Sequence, residues 1–306
     1  MPIARDTLLW LSRSKFLRES IIKVAPARAM SRKFVAGEKL SEALDVIASL
    51  NAQGMGGILD YLGENTTTAA EAEAYTAEQI AAVQGVITRK LNAYLSLKLT
   101  AMGLDIGPEL AEANLRKVLD AARAGDIFVR VDMESSEYVE RTLAIVIQLW
   151  DDGYTNLGTV IQSYLYRSEK DVQDLVVRGT NLRLVKGAYN EPASAAYPDK
   201  ADVDAQYVKL VKFMLDAPNC FCGIATHDEA MIEAAKTYAR QNAIPNTRYE
   251  FQMLYGIKTS LLKQLAQEGY ATRAYIPYGT HWYPYFMRRL AERPSNVAFV
   301  VKGAFG

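Results

Sequence analysis

Arg288 and Arg289 stand side by side in YIPYGTHWYPYFMRRLAERPSN, residues 275–296, close to five tyrosines or tryptophans. Two neighbouring guanidinium groups repel each other, so the pair is a local cost unless something anionic and planar is there to be gripped. On a helix starting near Trp282, the residues Tyr285, Arg288, Arg289 and Glu292 fall at i, i+3, i+4 and i+7, on one face. Such a face can hold a carboxylate bidentately while Tyr285 walls off the apolar side of the ligand. A solvated surface helix with an Arg–Glu pair is the plainer alternative. We read the arginines as a substrate anchor, because the helix directly follows a strand-like segment, TRAYIPYG (272–279).

Further polar residues recur at the ends of apolar segments: Lys98, Asp132, Gln162, Arg183, Lys186, Thr226, His227, Gln252 and Tyr275. In IFVRVDME (127–134) the alternation puts Arg130 and Asp132 on one face and Val129, Val131 and Met133 on the other. Lys98 and Lys186 on strands fit a Schiff-base lysine, as in barrel aldolases. A lysine paired with a carboxylate such as Asp132 fits as well. His227 and His281 are the only histidines, which excludes a His-rich metal site, and we expect no metal. Asp228 and Glu229 read as the N-cap and a first-turn acid of the next helix. In KGA (186–188) two small residues, Gly187 and Ala188, follow a basic one and allow close backbone approach to a phosphate or a flat ring.

The elements that must position these groups follow a rhythm. Short apolar segments alternate with longer ones of helical period: GGILDYLGE (56–64), YLSLKLTAM (94–102), IFVRVDME, TVIQSYL (159–165), LRLVKGAY (182–189), FCGIATH (221–227), YEFQML (249–254) and TRAYIPYG. Helix-like stretches such as 71–91 and 135–150 lie between them. Eight such pairs over the ~250 residues usual for the fold predict an α/β protein, a (β/α)8 barrel. An open doubly wound sheet would carry a Gly-rich nucleotide turn after its first strand, and none is present. In a barrel the polar strand ends meet at one rim, where active sites are built.

The chain has 306 residues, half of them hydrophobic, with Lys plus Arg equal to Asp plus Glu at 35 each. No global field favours nucleic acid or an anionic membrane. Cys220 and Cys222 are too close for an unstrained disulfide and read as buried thiols of a reducing cytoplasm. No apolar run reaches the ~18 residues needed to span a bilayer. Residues 1–33 are basic, with Arg5, Arg13, Lys15, Arg18, Lys23, Arg28, Arg32 and Lys33 against Asp6 and Glu19. We expect an N-terminal helical segment, 1–40, packed through Leu9, Trp10, Phe16 and Leu17 on a catalytic barrel, 41–306. A transit peptide or a helix on the inner membrane face is the alternative.

LRLVKGAYNE, IATHDEAM, EFQMLYGI and YIPYGTHWYPYFMRRLAE, in that order, resemble the proline dehydrogenase family in its monofunctional bacterial form. That form is related to the barrel domain of bifunctional proline-catabolic enzymes, and the resemblance runs from about residue 40 to 300. One departure is visible: many members continue as Arg-Arg-x-x-Glu-Asn, whereas Arg293 and Pro294 follow Glu292 here. The resemblance implies a distorted barrel with its last helix over the strand mouth, holding FAD non-covalently. It implies oxidation of L-proline to Δ1-pyrroline-5-carboxylate, with electrons passed to a quinone-type acceptor at a membrane surface and a downstream pyrroline-5-carboxylate dehydrogenase as partner. By motif, Arg288, Arg289 and Lys98 would bind the proline carboxylate, and Leu254, Tyr275 and Tyr285 would pack on the ring. Asp132 would order the polar network and Arg183 would lie near the flavin N5 edge. Met133, Gln162, Lys186, Gly187, Ala188, Thr226, His227 and Gln252 would line the FAD. A Schiff-base aldolase using Lys186 or Lys98 and a non-catalytic amino-acid-binding barrel are the other readings.

Overall fold

A computed structural model describes residues 31–292, the side chains of Arg288, Leu290, Ala291 and Glu292 excepted. The expected N-terminal helix with Leu9, Trp10, Phe16 and Leu17, and the Arg293–Pro294 departure, lie outside the described residues.

Eight parallel strands close into a barrel in sequence order, β1 pairing with β8. They are β1 (Gly56–Tyr61), β2 (Ala93–Leu97), β3 (Val129–Val131), β4 (Leu157–Gln162), β5 (Asn181–Val185), β6 (Phe221–Ala225), β7 (Tyr249–Leu254) and β8 (Thr272–Tyr278). Each lies within or overlaps one of the apolar segments expected to be strands. Most stop short of the segment's end, so that Lys98, Asp132, Lys186, Thr226 and His227 sit just beyond their strands.

Helix α1 (Leu40–Asn51) precedes β1 and buries Ala43, Leu44, Ile47 and Leu50, the three- and four-residue spacing of one face. Outside the strands follow α2 (Ala69–Thr88), α3 (Pro108–Arg123), α4 (Ser136–Asp151), α5 (Ser168–Val176), α6 (Lys200–Asp216), α7 (Glu229–Gln241) and α8 (Thr259–Gln267). Their starts are written in the sequence. Thr68 and Glu71 form a reciprocal capping box at α2, and Pro108 opens α3. Asp228 caps α7 by accepting from the Ala230 N–H at 3.1 Å, as expected. Such caps contribute about 1 kcal/mol each.

The last helix, α9 (Trp282–Glu292), lies over the mouth instead of beside β8, since its Tyr285 and Arg289 join the lining of the barrel mouth. Its first turns are fixed by burial of Trp282, Tyr283, Phe286 and Met287. Trp282 also donates from Nε1 to Glu38 at 3.2 Å, and its ring meets Phe286 edge-on at 6.0 Å. Cys220 and Cys222 are free and buried, as expected, and burial pushes the Cys220 thiol up to about 12.

Candidate active site

The strand ends open on a cavity of ≈ 460 Å³, to which every strand or the residues just after it contribute. Lys98, Asp132, Met133, Gln162, Arg183, Lys186, Gly187, Ala188, Thr226, His227, Gln252, Leu254, Tyr275, Tyr285 and Arg289 all line it. Arg288 is on the same helix, but its side chain is outside the described residues. The Arg289 guanidinium lies 5.2 Å from the centre of the Tyr285 ring, a cation–π contact between two lining residues.

At one side of the cavity Asp132 is the hub. Its Oδ1 accepts from Ser96 Oγ at 2.6 Å and Arg183 Nη1 at 2.7 Å, and its Oδ2 from the Tyr275 hydroxyl at 2.6 Å. Burial acts to raise the Asp132 carboxyl, but Arg183, Lys98 and these hydroxyls hold it below the ordinary range, so it stays ionised. Lys98 pairs more closely with Asp60, at 3.2 Å, than with Asp132, at 3.8 Å. Burial works against the Lys98 charge, yet Asp60, Tyr275 and Asp132 together raise it well above its usual value. Burial, with the Asp132 charge adding to it, raises Asp60 despite the opposing pull of Lys98.

Below this hub the barrel interior is ionic, where most barrels are filled with branched apolar side chains. Arg183 donates from Nε to Gln252 Oε1 at 2.6 Å. The Gln252 amide donates in turn to Glu250 at 2.7 Å and to the Tyr94 hydroxyl at 2.8 Å, and Arg273 closes on Glu250 at 2.8 Å. Arg183 therefore sits mid-strand and deeper than the rim, where the sequence had suggested a strand end. The order of donors fixes the Gln252 amide: Glu250 only accepts and Arg183 only donates, so oxygen must face Arg183. Room for these long side chains comes from glycines. A Cβ on Gly223 would come within 2.6 Å of Gln252 Nε2. One on Gly158 would lie 2.3 Å from the Asn181 carbonyl oxygen and 3.2 Å from Arg130. Arg130, fully buried, donates to the Thr159 and Asn181 carbonyls at 3.0 and 3.1 Å.

The other side is built differently. Lys186 donates to Asp228 at 2.7 Å and to Asp204. His227 accepts from the Leu254 N–H at Nε2, 3.0 Å away, which leaves Nδ1 to carry the ring proton. Gly187 has φ +120°, and a Cβ there would press into the Tyr164 ring at 2.4 Å. Only glycine fits, and Gly187 and Ala188 line the cavity.

Neither lysine is set up for Schiff-base chemistry, which needs a depressed pKa and a free amine. Lys98 is raised and Lys186 is held by two carboxylates. The sequence reading missed Asp60, Glu64, Ser96 and Tyr189 near the mouth, and Glu250 and Arg273 below it. Asp60 could have been found, being the lone charge in GGILDY.

Gln162 Oε1, an acceptor, and Arg183 Nη2, a donor, are buried atoms of lining residues with no hydrogen-bond partner among the described residues. Leaving such atoms unmet costs about 1–3 kcal/mol each. An acceptor and a donor in a cavity lined by Gly187 and Ala188 suit the edge of a heteroaromatic ring that offers both N–H and C=O or ring nitrogen. A second cavity, ≈ 560 Å³, lies between residues 31–42 and Thr280–Trp282. Its Arg32 and Glu42 pair with each other, and among the described residues no comparable polar network converges on it.

Comparison with known proteins matches residues 43–302 to the family model described as proline dehydrogenase. The chain is 44% identical over 299 residues to proline dehydrogenase 1 of Bacillus subtilis (strain 168), covering 98% of each chain. It is 42% identical to the proline dehydrogenase of Deinococcus radiodurans, over 90% of this chain and 89% of that one. Among solved structures it resembles proline utilization A from Bdellovibrio bacteriovorus inactivated by N-propargylglycine. There the TM-score is 0.82 at 29% identity, over 88% of this chain and 33% of that longer one.

Proposed function

The chain belongs to the proline dehydrogenase family, and from that premise we propose how its barrel mouth carries out the flavin-dependent oxidation of L-proline to Δ1-pyrroline-5-carboxylate. Arg288, Arg289 and Lys98 take the carboxylate. Tyr275, Tyr285 and Leu254 close around the pyrrolidine ring. Met133, Gln162, Lys186, Gly187, Ala188, Thr226, His227 and Gln252 would hold FAD on the other side of the cavity. The observation that carries this arrangement is the unmatched pair Arg183 Nη2 and Gln162 Oε1, whose donor and acceptor characters suit a flavin ring edge.

Bound flavin supplies the two-electron oxidant for the C–H bond beside the proline nitrogen. The chain's part is placement and electrostatics. The cations that hold the carboxylate also disfavour a positive charge on the nearby amine, which must be neutral before that bond can be oxidised. Asp132, kept ionised by its donors, locks Arg183 and Tyr275 in position. Lys98, kept charged by Asp60, serves as a fixed cation.

A quinone-type compound would take up the electrons. The basic composition of residues 1–33 suits attraction to an anionic membrane. No helix among the described residues is long and apolar enough to cross one. The product passes to a pyrroline-5-carboxylate dehydrogenase. Support for that partner comes from the protein named bifunctional PutA of Escherichia coli, 30% identical over 89% of this chain and 24% of its own length. The test is the absorption spectrum of the purified protein. Oxidised-flavin bands that bleach on anaerobic addition of L-proline, with a pyrroline formed, are expected. A colourless protein, or bands indifferent to proline, would overturn the reading.

A further inference from the structure

Glu134 belongs to none of the contacts described so far, yet it is 4% exposed and lies two residues beyond Asp132. A buried carboxylate needs donors, and both of its oxygens find them on one residue. Oε1 accepts from Thr100 Oγ1 at 2.6 Å and Oε2 from the Thr100 N–H at 3.2 Å. Thr100 lies two residues beyond Lys98, in the single 3-10 turn Thr100–Met102 that ends the β2 segment.

Thr100 is also held from a third side. Its Oγ1 accepts from the Asn65 N–H at 3.3 Å, and its carbonyl from Thr66 Oγ1 at 3.0 Å and from the Thr66 N–H at 3.2 Å. Asn65 has φ 53°, a left-handed conformation that a non-glycine residue keeps only when its surroundings hold it there. Its neighbour Glu64 lines the cavity. The Glu134 carbonyl meanwhile accepts from Gln162 Nε2 at 3.2 Å, which turns Gln162 Oε1 away from it. One residue thus joins the ends of β2 and β4 to that of β3, and reaches the loop after β1 through Thr100.

We propose that Glu134 is a positioning residue for the substrate carboxylate: by clamping Thr100 it sets where Lys98 stands beside Asp132 and how the Glu64 loop lies over the mouth. The proposal rests on the reading of Lys98 as a carboxylate ligand. A long lysine side chain is a mobile point charge unless its backbone is fixed. The Glu134–Thr100 clamp fixes it from the β3 side, independently of the Asp60 ion pair.

Four variants of the full-length, flavin-loaded protein test this: Glu134→Gln, Thr100→Val, Thr100→Ser and Lys98→Gln. The readouts are kcat and KM for L-proline and the inhibition constant of cyclopentanecarboxylate, a five-membered-ring carboxylate that cannot be oxidised at nitrogen. Thr100→Val should raise KM and the inhibition constant roughly three- to tenfold, with kcat changed less than twofold, and Glu134→Gln should raise them less, because its amide can accept from the Thr100 N–H and donate to Oγ1. The double variant should be no worse than Thr100→Val alone, because both changes act on the same link. Thr100→Ser keeps the hydroxyl and should restore values near the unaltered enzyme. If Glu134→Gln does not fold, the Thr100→Val and Thr100→Ser pair decides alone. Normal KM in Thr100→Val beside a raised KM in Lys98→Gln overturns the clamp while keeping the lysine. Normal KM in Lys98→Gln removes the lysine assignment, and the clamp with it.

Discussion

Replacing Asp132 by asparagine probes the hub of the site without changing its shape. In the unaltered protein both carboxylate oxygens accept: Oδ1 from Ser96 and Arg183, Oδ2 from Tyr275. Asparagine has one acceptor oxygen and one NH2. The NH2 cannot face Arg183, which only donates, so it must turn toward Tyr275, whose hydroxyl can reverse and accept. The Arg183 bond survives, but it is no longer made to an ionised partner. Losing that assistance costs about 1.5–3 kcal/mol, and leaving a buried cation short of its counter-ion costs more. Asp60 offsets part of this, because the Asp132 charge helps to raise it and removing that charge eases its ionisation beside Lys98. A net stability loss of about 3 kcal/mol is expected, seen as a lower melting temperature. Activity should suffer more. Arg183 keeps only an uncharged partner and the Tyr275 hydroxyl is turned round, so both are held less firmly, and a misplacement near 1 Å is enough for roughly a hundredfold loss in kcat/KM. Steady-state kinetics, flavin content and a thermal melt on Asp132→Asn measure all three. A kcat/KM within twofold of the unaltered enzyme, with full flavin content, would refute the hub.

Two further outcomes follow from the same geometry. Tyr275 should close the pocket over the far edge of the ring, so L-proline should be preferred to 4-hydroxyproline and Tyr275→Ser should narrow the gap; equal efficiency in the unmutated enzyme counts against that placement. Burial, opposed by the Thr100 bonds and Lys98 and reinforced by Glu64, pushes the Glu134 carboxyl up to about 7, and its charge bears in turn on Tyr138. A raised folded value means that the folded state holds the proton more tightly. This contribution to stability, on the order of 3 kcal/mol, is present below about pH 4.5 and lost as pH rises through 7. Denaturant melts from pH 5 to 8 should show that slope, and Glu134→Gln should flatten it.

The barrel was legible because its strands and helices differ in period and length, and because β7, YEFQML, is bounded by polar and turn residues at both ends. The mouth was legible for a related reason: lysine, aspartate and arginine do not belong at the ends of buried strands unless something there needs them. What stayed hidden was pairing. Spacing along the chain cannot say that Lys98 leans on Asp60 and less closely on Asp132. Nor can it show that Glu250 and Arg273, at the far end of the barrel, orient the glutamine that meets Arg183. Those choices depend on the stagger of strands around the closed sheet, and on glycines such as Gly158 and Gly223 leaving room inside it. Arg183 was read as a rim residue because the end of its strand could not be fixed from LRLVKGAY alone.

The carboxylate clamp is the central claim, and the kinetics of Arg288→Lys and Arg289→Lys test it most directly. Each change replaces a planar fork with a point charge and loses about one charge-assisted hydrogen bond, on the order of 1.5–3 kcal/mol. A ten- to hundredfold fall in kcat/KM for L-proline is expected, roughly speaking, with much of it in KM because the carboxylate is gripped before the reaction begins. Flavin content should stay normal, since the proposed flavin contacts come from the strand ends and not from α9. Unchanged KM in both variants would contradict the clamp and return the two arginines to an ordinary surface helix.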